Sequence, residues 1–229
     1  MQCASRLMIM NRTVLSFLIA AVFLFSCRSI SYFETPNALR NVPATVYLVN
    51  GRTYHGNLIV HTTRFSGSAV KLYTDGDKKP MRFSIHHVKG YEANNNYYEL
   101  KELRGGVHLF REYSFMKRLT AANSKIHLYE NLKKLTHPSG KHVHAYTTYE
   151  TEYFLQLPNE TGNTVWPLSG AKFVPDFHEK MSKLVADCPS LATKIANKEN
   201  GYFYAQVSLF KEKRADVLMN IINEYNNCE

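Results

Sequence analysis

Apolar residues form one unbroken run near the amino terminus and alternate with polar residues through most of the remaining chain. The run from Val14 to Cys27 carries no charge and is preceded by Arg6 and Arg12. Its apolar core, Thr13 to Phe25, is 13 residues long, well short of the roughly 20 that a helix needs to span a bilayer. A basic leader, a short apolar core and a small residue before the end are typical of a secretory signal. The pattern predicts that residues 1–26 are removed on export.

Period-two alternation begins at Thr45 and predicts a series of short strands. The first strand runs into Asn50-Gly51, a strong hairpin signal, and the second contains Gly56 as a predicted bulge or bend. Further strands are predicted at 69–73, 81–85, 97–103, 107–110, 115–119, 126–129, 147–157 and 165–168, with 131–146 as a long exposed hairpin tip. Short strands separated by turns favour a small barrel or a rolled sheet.

After Pro175 the apolar residues recur with the spacing of a helix. Four apolar residues from Met181 to Cys188 recur at i, i+3, i+4 and i+7, which predicts an amphipathic helix with Asp176 as its cap or as an acidic residue of its first turn. A second short helix is predicted at 190–196 and a final one at about 211–226.

These patterns predict an α+β fold in which an antiparallel, β-rich part precedes a helical segment. We expect a signal peptide at 1–26, a tether at 27–43, a β-rich domain at 44–170 and a helical segment at 171–229 that packs on the β part. No break in composition divides the strands, so one β unit is favoured over two.

The end of the apolar run, Leu24-Phe25-Ser26-Cys27, resembles the lipobox of bacterial lipoproteins. In that family a leucine, a variable residue and a small residue precede the cysteine that receives the lipid. The resemblance implies that Cys27 begins the mature chain, is acylated and holds the protein at a membrane surface, since each buried methylene contributes about 0.8 kcal/mol. An ordinary signal peptide and an uncleaved anchor are the competing interpretations, and the start codon is open among Met1, Met8 and Met10.

Two further resemblances concern shape and location. The hairpin from Thr45 to Leu58 resembles the first hairpin of small Sm-like barrels. No RNA-binding residue set matches, so the resemblance implies a bent shape alone. The run from Asp187-Cys188-Pro189 to Ile195, followed by 221–226, resembles a C-terminal pattern of uncharacterised exported Bacteroidota proteins. That likeness implies an exported protein with a β-rich amino-terminal part, and no activity.

The chain is basic, with a net charge of +9. Removing the two leader arginines from 28 basic residues, against 19 acidic ones, leaves +7. The basic residues are scattered in short groups, and an exported chain rarely meets nucleic acid, so no nucleic-acid partner is expected. We expect a membrane surface, reached through the lipid anchor, and anionic envelope components as partners.

Four cysteines are present, and Cys3 leaves with the leader. With Cys27 lipidated, Cys188 and Cys228 remain as a pair in a compartment that permits oxidation. Their disulfide would close a loop of about 40 residues and contribute roughly 4 kcal/mol. Two free buried thiols are the alternative. Neither cysteine has a Cys or His neighbour at ligand spacing, so no metal site is predicted there.

Candidate catalytic or binding groups are few. His142 and His144 share a strand face and could ligate zinc or copper, but no further ligand stands at a fixed offset. His86-His87 is predicted to alternate across a strand, which makes ligation less favoured. Glu150 and Glu152 share a strand face, and a solvated surface is favoured over a catalytic pair. Ser66-Gly67-Ser68 is predicted to be a turn.

The 15 tyrosines of the chain are the last candidate binding groups. Tyr97-Tyr98, or the strand that carries Tyr149 and Tyr153, could stack on sugar rings, but packing within the sheet is favoured. The sequence therefore predicts a lipid-anchored protein of the bacterial cell envelope, at its periplasmic or outer-membrane face. Its role is predicted to be a non-catalytic structural or binding module without catalytic residues, metal or cofactor. The alternative is an envelope hydrolase that acts on glycan or peptide, either with or without a bound metal ion.

Overall fold

The computed structural model describes residues 30–62, 69–104, 112–139, 144–158, 160, 162–205 and 211–228. The chain divides into a unit of residues 1–32 and a compact unit of residues 33–229, which contains the sheet and the helices described below. The strands are β1 (Tyr32–Thr35), β2 (Ala38–Leu48), β3 (Thr53–His61), β4 (Ala69–Tyr73), β5 (Met81–Ser84), β6 (Val88–Ala93), β7 (Asn96–Leu103), β8 (Glu112–Arg118), β9 (His127–His137), β10 (Tyr146–Gln156) and β11 (Thr164–Pro167).

The α-helices come after the last strand. They are α1 (Phe177–Leu184), α2 (Pro189–Ala196) and α3 (Lys211–Asn226), and a 3₁₀ helix at Ile85–His87 precedes β6. The α+β class is thus confirmed, with an antiparallel, β-rich part before the helices. The helices begin ten residues after the sheet ends, at Phe177.

The eleven strands named above belong to one sheet. Its order is β5-β4-β3-β2-β6-β7-β8-β9-β10-β11, and β1 pairs with β2. β11 also pairs with β7, in parallel, through Thr164 with Glu102 and Val165 with Leu103. This contact closes β7 to β11 into a ring of five strands, whereas β1 to β6 form the remaining part of the sheet.

The first hairpin forms where Asn50-Gly51 predicted it, between β2 and β3, and Gly51 has a φ of 83°. Gly56 does not form the predicted bulge. Its missing side chain makes room for β4, because a Cβ there would lie 2.3 Å from the carbonyl oxygen of Tyr73. The bulge of this hairpin lies between Leu39 and Val42 instead.

Alternating side chains build three groups of buried residues. The amino-terminal strands and one face of β7 and β8 enclose the first core, which includes Val46, Leu58, Tyr91 and Phe115. Helices cover the outer face of β9, β10 and β11 in the second core, whose members include Leu128, Leu155, Phe177, Met181, Leu191, Ile195, Leu218, Ile221 and Ile222. A small third group, Met116, Tyr129, Phe154 and Val165, lies inside the ring.

The side chain of Asn37 links the turn after β1 to β8 of the ring. β9 leaves β8 after two residue pairs, Lys117 with Glu130 and Arg118 with Tyr129. Further along β8, Asn37 takes the place of a neighbouring strand: its Oδ1 accepts from the amide of Phe115 at 2.8 Å, and its Nδ2 donates to the carbonyl of Phe115 at 3.1 Å. Nδ2 also lies 2.8 Å from Ser114 Oγ.

Two segments differ from their predicted structure. The predicted tether at 27–43 contains β1 and the start of β2, where Leu39 and Val42 are buried. Pro43 lies opposite Asn57 in the pairing of β2 with β3, and β2 pairs with β6 only from Thr45 onward. The predicted hairpin tip at 131–146 is mostly strand, since β9 and β10 pair as far as His137 with Tyr146.

Smaller differences concern the helix ends. α1 ends at Leu184, and Pro189 opens α2, where its missing N–H is harmless. Asp176 does precede α1, but with a φ of 66° and no side-chain capping bond. The strand predicted at 107–110 lies outside the described residues.

Candidate functional site

A group of charged and polar side chains fills one part of the ring. Alternation along β7 points Glu99 and Lys101 inward, toward Arg118 of β8, Tyr129 of β9 and Gln156 of β10. We call these five residues the ring cluster. Lys101 is 1% exposed and Glu99 is 8% exposed, which is rare for charged residues.

The ring cluster is held by short contacts between its own members. Lys101 Nζ donates to Glu99 Oε1 at 2.9 Å and to Gln156 Oε1 at 2.8 Å, and it lies 4.6 Å from the centroid of the Tyr129 ring. The hydroxyl of Tyr129 lies 3.0 Å from Glu99 Oε2 and 3.2 Å from Gln156 Oε1. An Arg118 nitrogen stands 3.5 Å from Glu99 Oε2.

Burial is the largest cause of the pKa shifts in and around this cluster. It lowers the pKa of Lys101, although Glu99 opposes the change, and it raises the pKa of Tyr129. Burial also lowers the pKa of His127, which stands at the start of β9, and raises the pKa of Tyr97 to about 12. These shifts favour neutral side chains, yet each charge of the cluster has a partner. The arrangement is therefore suited to locking the ring closed.

A second candidate lies on the outer part of the β9–β10 hairpin. β11 pairs with β10 only at Phe154 and Leu155, so the hairpin extends past the ring. A groove of about 810 Å³ runs along this extension. We call it the hairpin groove, and it is lined by Glu130, Leu135, Thr148, Tyr149, Glu150, Thr151 and Tyr153. Its volume lies within the range of small-ligand sites.

The sequence had singled out several of these hairpin residues. Tyr149, a candidate sugar platform, is 53% exposed in the groove, whereas Tyr153 is partly buried against the second core. Glu150 also lines the groove, but Glu152 lies 2.6 Å from Lys133 Nζ in an ion pair. The two carboxylates therefore do not act as a pair across a cleft.

The other aromatic and histidine candidates are separated. Tyr98 is buried and stacked on Tyr91 with centroids 5.0 Å apart, while Tyr97 packs on the other side of β7. His86 and His87 lie in the 3₁₀ helix, so their prediction as strand residues is wrong. That helix is short and local, and period-two reasoning cannot detect it.

Of the histidine pair considered as metal ligands, His144 is exposed, and His142 lies outside the described residues. Within the described ranges, no group of three or more His, Cys, Asp or Glu side chains could hold a metal ion. Ser66-Gly67-Ser68 and the predicted lipidation residue Cys27 also lie outside the described residues.

The remaining cysteines are joined. Cys188 and Cys228 form the expected disulfide, with Cα atoms 5.9 Å apart and a sequence separation of 40. It connects the residue before α2 to the residues that follow α3. Lys125 fixes the same end of the chain, since its amide donates to Asn226 Oδ1 at 2.8 Å and its Nζ to the carbonyl of Cys228 at 2.6 Å.

Sequence reasoning missed the ring cluster. Glu99 and Lys101 stand two apart in a predicted strand, which is the ordinary pattern of a solvated face. Only the closure of the ring by β11 turns that face inward, and no local signal in the sequence announces the closure.

Comparison of the chain with protein-family models, with curated proteins and with solved structures finds no match. Among the helices that the structure describes, none is both long and apolar enough to cross a membrane.

Proposed function

We propose that the chain is a lipid-anchored protein of the bacterial cell envelope whose folded body serves there as a non-catalytic binding or structural module. The disulfide between Cys188 and Cys228 is the observation that carries the proposal. Disulfides persist in oxidising compartments and are rare in the cytosol. The disulfide agrees with the export signal at 1–26 and with the lipobox-like residues that end at Cys27.

The non-catalytic role is supported by the way the charged groups are used. General acid–base catalysis requires a titratable side chain that can reach the substrate. In the ring cluster, Glu99 accepts from Lys101 and Tyr129, and Lys101 is 1% exposed. Lys101 and Tyr129, the members of the cluster with shifted pKa values, therefore bond to Glu99 and Gln156 inside the ring and stabilise it. The positive charge of the chain would add attraction to anionic envelope components.

The anchor and the disulfide can be tested together by intact mass and membrane fractionation of the full chain expressed in a bacterium that exports lipoproteins. We expect a membrane-bound species heavier than residues 27–229 by a set of acyl chains, and a gain of two protons upon reduction. The variant Cys27→Ala should lose the added mass and leave the membrane fraction. Cys3→Ala is the matched control, because Cys3 lies in the leader and its loss should change nothing in the mature protein.

A soluble wild-type product without added mass would contradict the anchor. A product whose mass does not change upon reduction would contradict the oxidising compartment, and with it the location of the proposed module.

A further inference from the structure

The outer end of the β9–β10 hairpin carries apolar side chains that the fold leaves exposed. We define this hairpin end by the last four residue pairs of the ladder: Tyr146 with His137, Thr147 with Thr136, Thr148 with Leu135 and Tyr149 with Lys134. Tyr146 is 51% exposed, Tyr149 53% and Leu135 38%. They are three of the six large apolar side chains that are exposed in the described part of the chain. Such a concentration marks a surface that contacts a protein or a membrane.

The three side chains are divided between the two faces of the hairpin end. Alternation places Tyr146 on the same face as Leu135 and places Tyr149 on the opposite face. A partner that lies flat against one face would leave the apolar side chains of the other face in water. A lipid bilayer that the hairpin enters end-on would cover both faces at once.

The residues of the hairpin end suit the headgroup layer of a bilayer. Tyrosine is favoured at a membrane surface, because its ring is apolar and its hydroxyl can stay in water. None of the eight residues carries a carboxylate, since Glu150 and Glu152 lie nearer to the ring. Lys134 can lay its apolar stem along the lipid and keep its ammonium among the phosphates.

The proposed anchor would keep the hairpin end close to the bilayer. The hydroxyl of Tyr149 donates to Glu34 Oε1 at 3.0 Å, and Lys134 Nζ stands 2.5 Å from the same oxygen. Glu34 follows Cys27 by seven positions, which an extended chain spans in at most about 25 Å. Tyr146 precedes Tyr149 by three positions of β10, or about 10 Å. With Cys27 acylated, the tether is therefore long enough for the hairpin end to reach the headgroups and too short to let it move far from them.

We infer that the hairpin end is the membrane-contacting surface of the folded body, and that Leu135, Tyr146 and Tyr149 enter the headgroup layer of the bilayer that carries the anchor. This inference rests on the proposed function, because it names the surface by which the anchored module contacts its membrane. The contact is made by apolar and aromatic side chains, so it should persist in vesicles without anionic lipid and at high salt.

Tryptophan fluorescence of the lipidated full chain in phosphatidylcholine vesicles tests the inference. Leu135→Trp and Tyr146→Trp are each combined with Trp166→Phe, which leaves one tryptophan as the reporter. Bromine atoms on the lipid acyl chains quench a tryptophan that touches them. We expect both variants to lose fluorescence in brominated vesicles relative to plain vesicles. The thermal midpoint of each variant verifies that it is folded.

Val49→Trp, also combined with Trp166→Phe, is the matched control. Val49 is 64% exposed and follows β2, at the end of that strand far from β1. Its fluorescence should be the same in brominated and plain vesicles.

Amide hydrogen exchange of the chain without tryptophan substitutions gives a second measurement that does not depend on those variants. The vesicle-bound protein is compared with Cys27→Ala, which lacks the proposed acylation residue. We expect slower exchange at 134–137 and 146–149 in the vesicle-bound protein, and equal exchange in the two proteins along β3.

Unquenched fluorescence of both hairpin variants, together with equal exchange at the hairpin end, would overturn the inference. A blue-shifted emission without bromine quenching would overturn it as well, because it would assign the hairpin end to a contact with protein, such as a second copy of the chain. So would equal quenching of Val49→Trp. If the anchor itself fails, the chain is not acylated and does not stay on the vesicles. An acylated, vesicle-bound chain whose hairpin end stays in water is a different result, so the two failures are distinguishable.

Discussion

Replacing Lys101 with methionine removes the buried cation from the ring cluster and keeps the length of the side chain. Its Nζ lies 2.9 Å from Glu99 Oε1 and 2.8 Å from Gln156 Oε1, and only 1% of the residue is exposed. Removing one member of a buried ion pair leaves an uncompensated charge, at a cost of about 3–5 kcal/mol. Arg118, 3.5 Å from Glu99 Oε2, offsets part of this. We therefore expect a loss of about 3 kcal/mol in the free energy of unfolding.

The measurement is urea unfolding followed by the fluorescence of Trp166, the single tryptophan of the chain. Glu99→Gln and the double variant complete a double-mutant cycle with Lys101→Met. Because the double variant leaves no unpaired charge on either residue, its loss should be smaller than the sum of the single losses by about 2 kcal/mol. Lys78→Met, in an exposed turn, is the control and should change stability by no more than about 0.5 kcal/mol.

A loss below about 1 kcal/mol for Lys101→Met, together with additive single effects, would refute the reasoning. The ring would then be closed by its apolar residues alone, and Lys101 would be available for another role. A fully additive cycle with large single losses would instead show that each residue acts through separate neighbours.

Two further predictions concern alkaline pH and reduction. Burial raises the pKa of Tyr204 from 10.0 to about 12. The stability that the protonated tyrosine contributes to the folded state is therefore complete below pH 10 and is lost as the pH rises to 12. In that window the free energy of unfolding should fall by about 1.4 kcal/mol per pH unit for this residue. Urea titrations at stepped pH measure the slope, and Tyr204→Phe should make it shallower. Cys188→Ser together with Cys228→Ser should lower stability by about 4 kcal/mol, and reductant should then have no further effect on the variant's urea midpoint.

Much of the fold is visible in local sequence. Asn50-Gly51 predicted the first hairpin, the alternation at 147–157 predicted β10, and the helical spacing after Met181 predicted a buried apolar face. Each of these signals concerns residues close in sequence, where period and turn chemistry act directly.

Long-range features could not be predicted in this way. The parallel contact of β11 with β7 joins Val165 to Leu103, and nothing near either residue specifies the other. The inward position of Lys101 depends on that closure. Tyr149 could be proposed as a platform from its residue type, but its contact with Glu34 spans 115 positions and is a property of the folded chain.

The contact between Asn37 and β8 imposes an order on folding. Asn37 leaves the ribosome 77 residues ahead of Ser114 and 78 ahead of Phe115, to which its amide bonds. While the chain is being made, the side-chain amide of Asn37 therefore lacks its β8 partners, even when β2 and β3 have already paired. Since contacts between distant residues form slowly, we expect the amino-terminal turn to dock late, after β7 and β8 have formed. This turn is then synthesised well before β8 but reaches its final position only after β8 has formed.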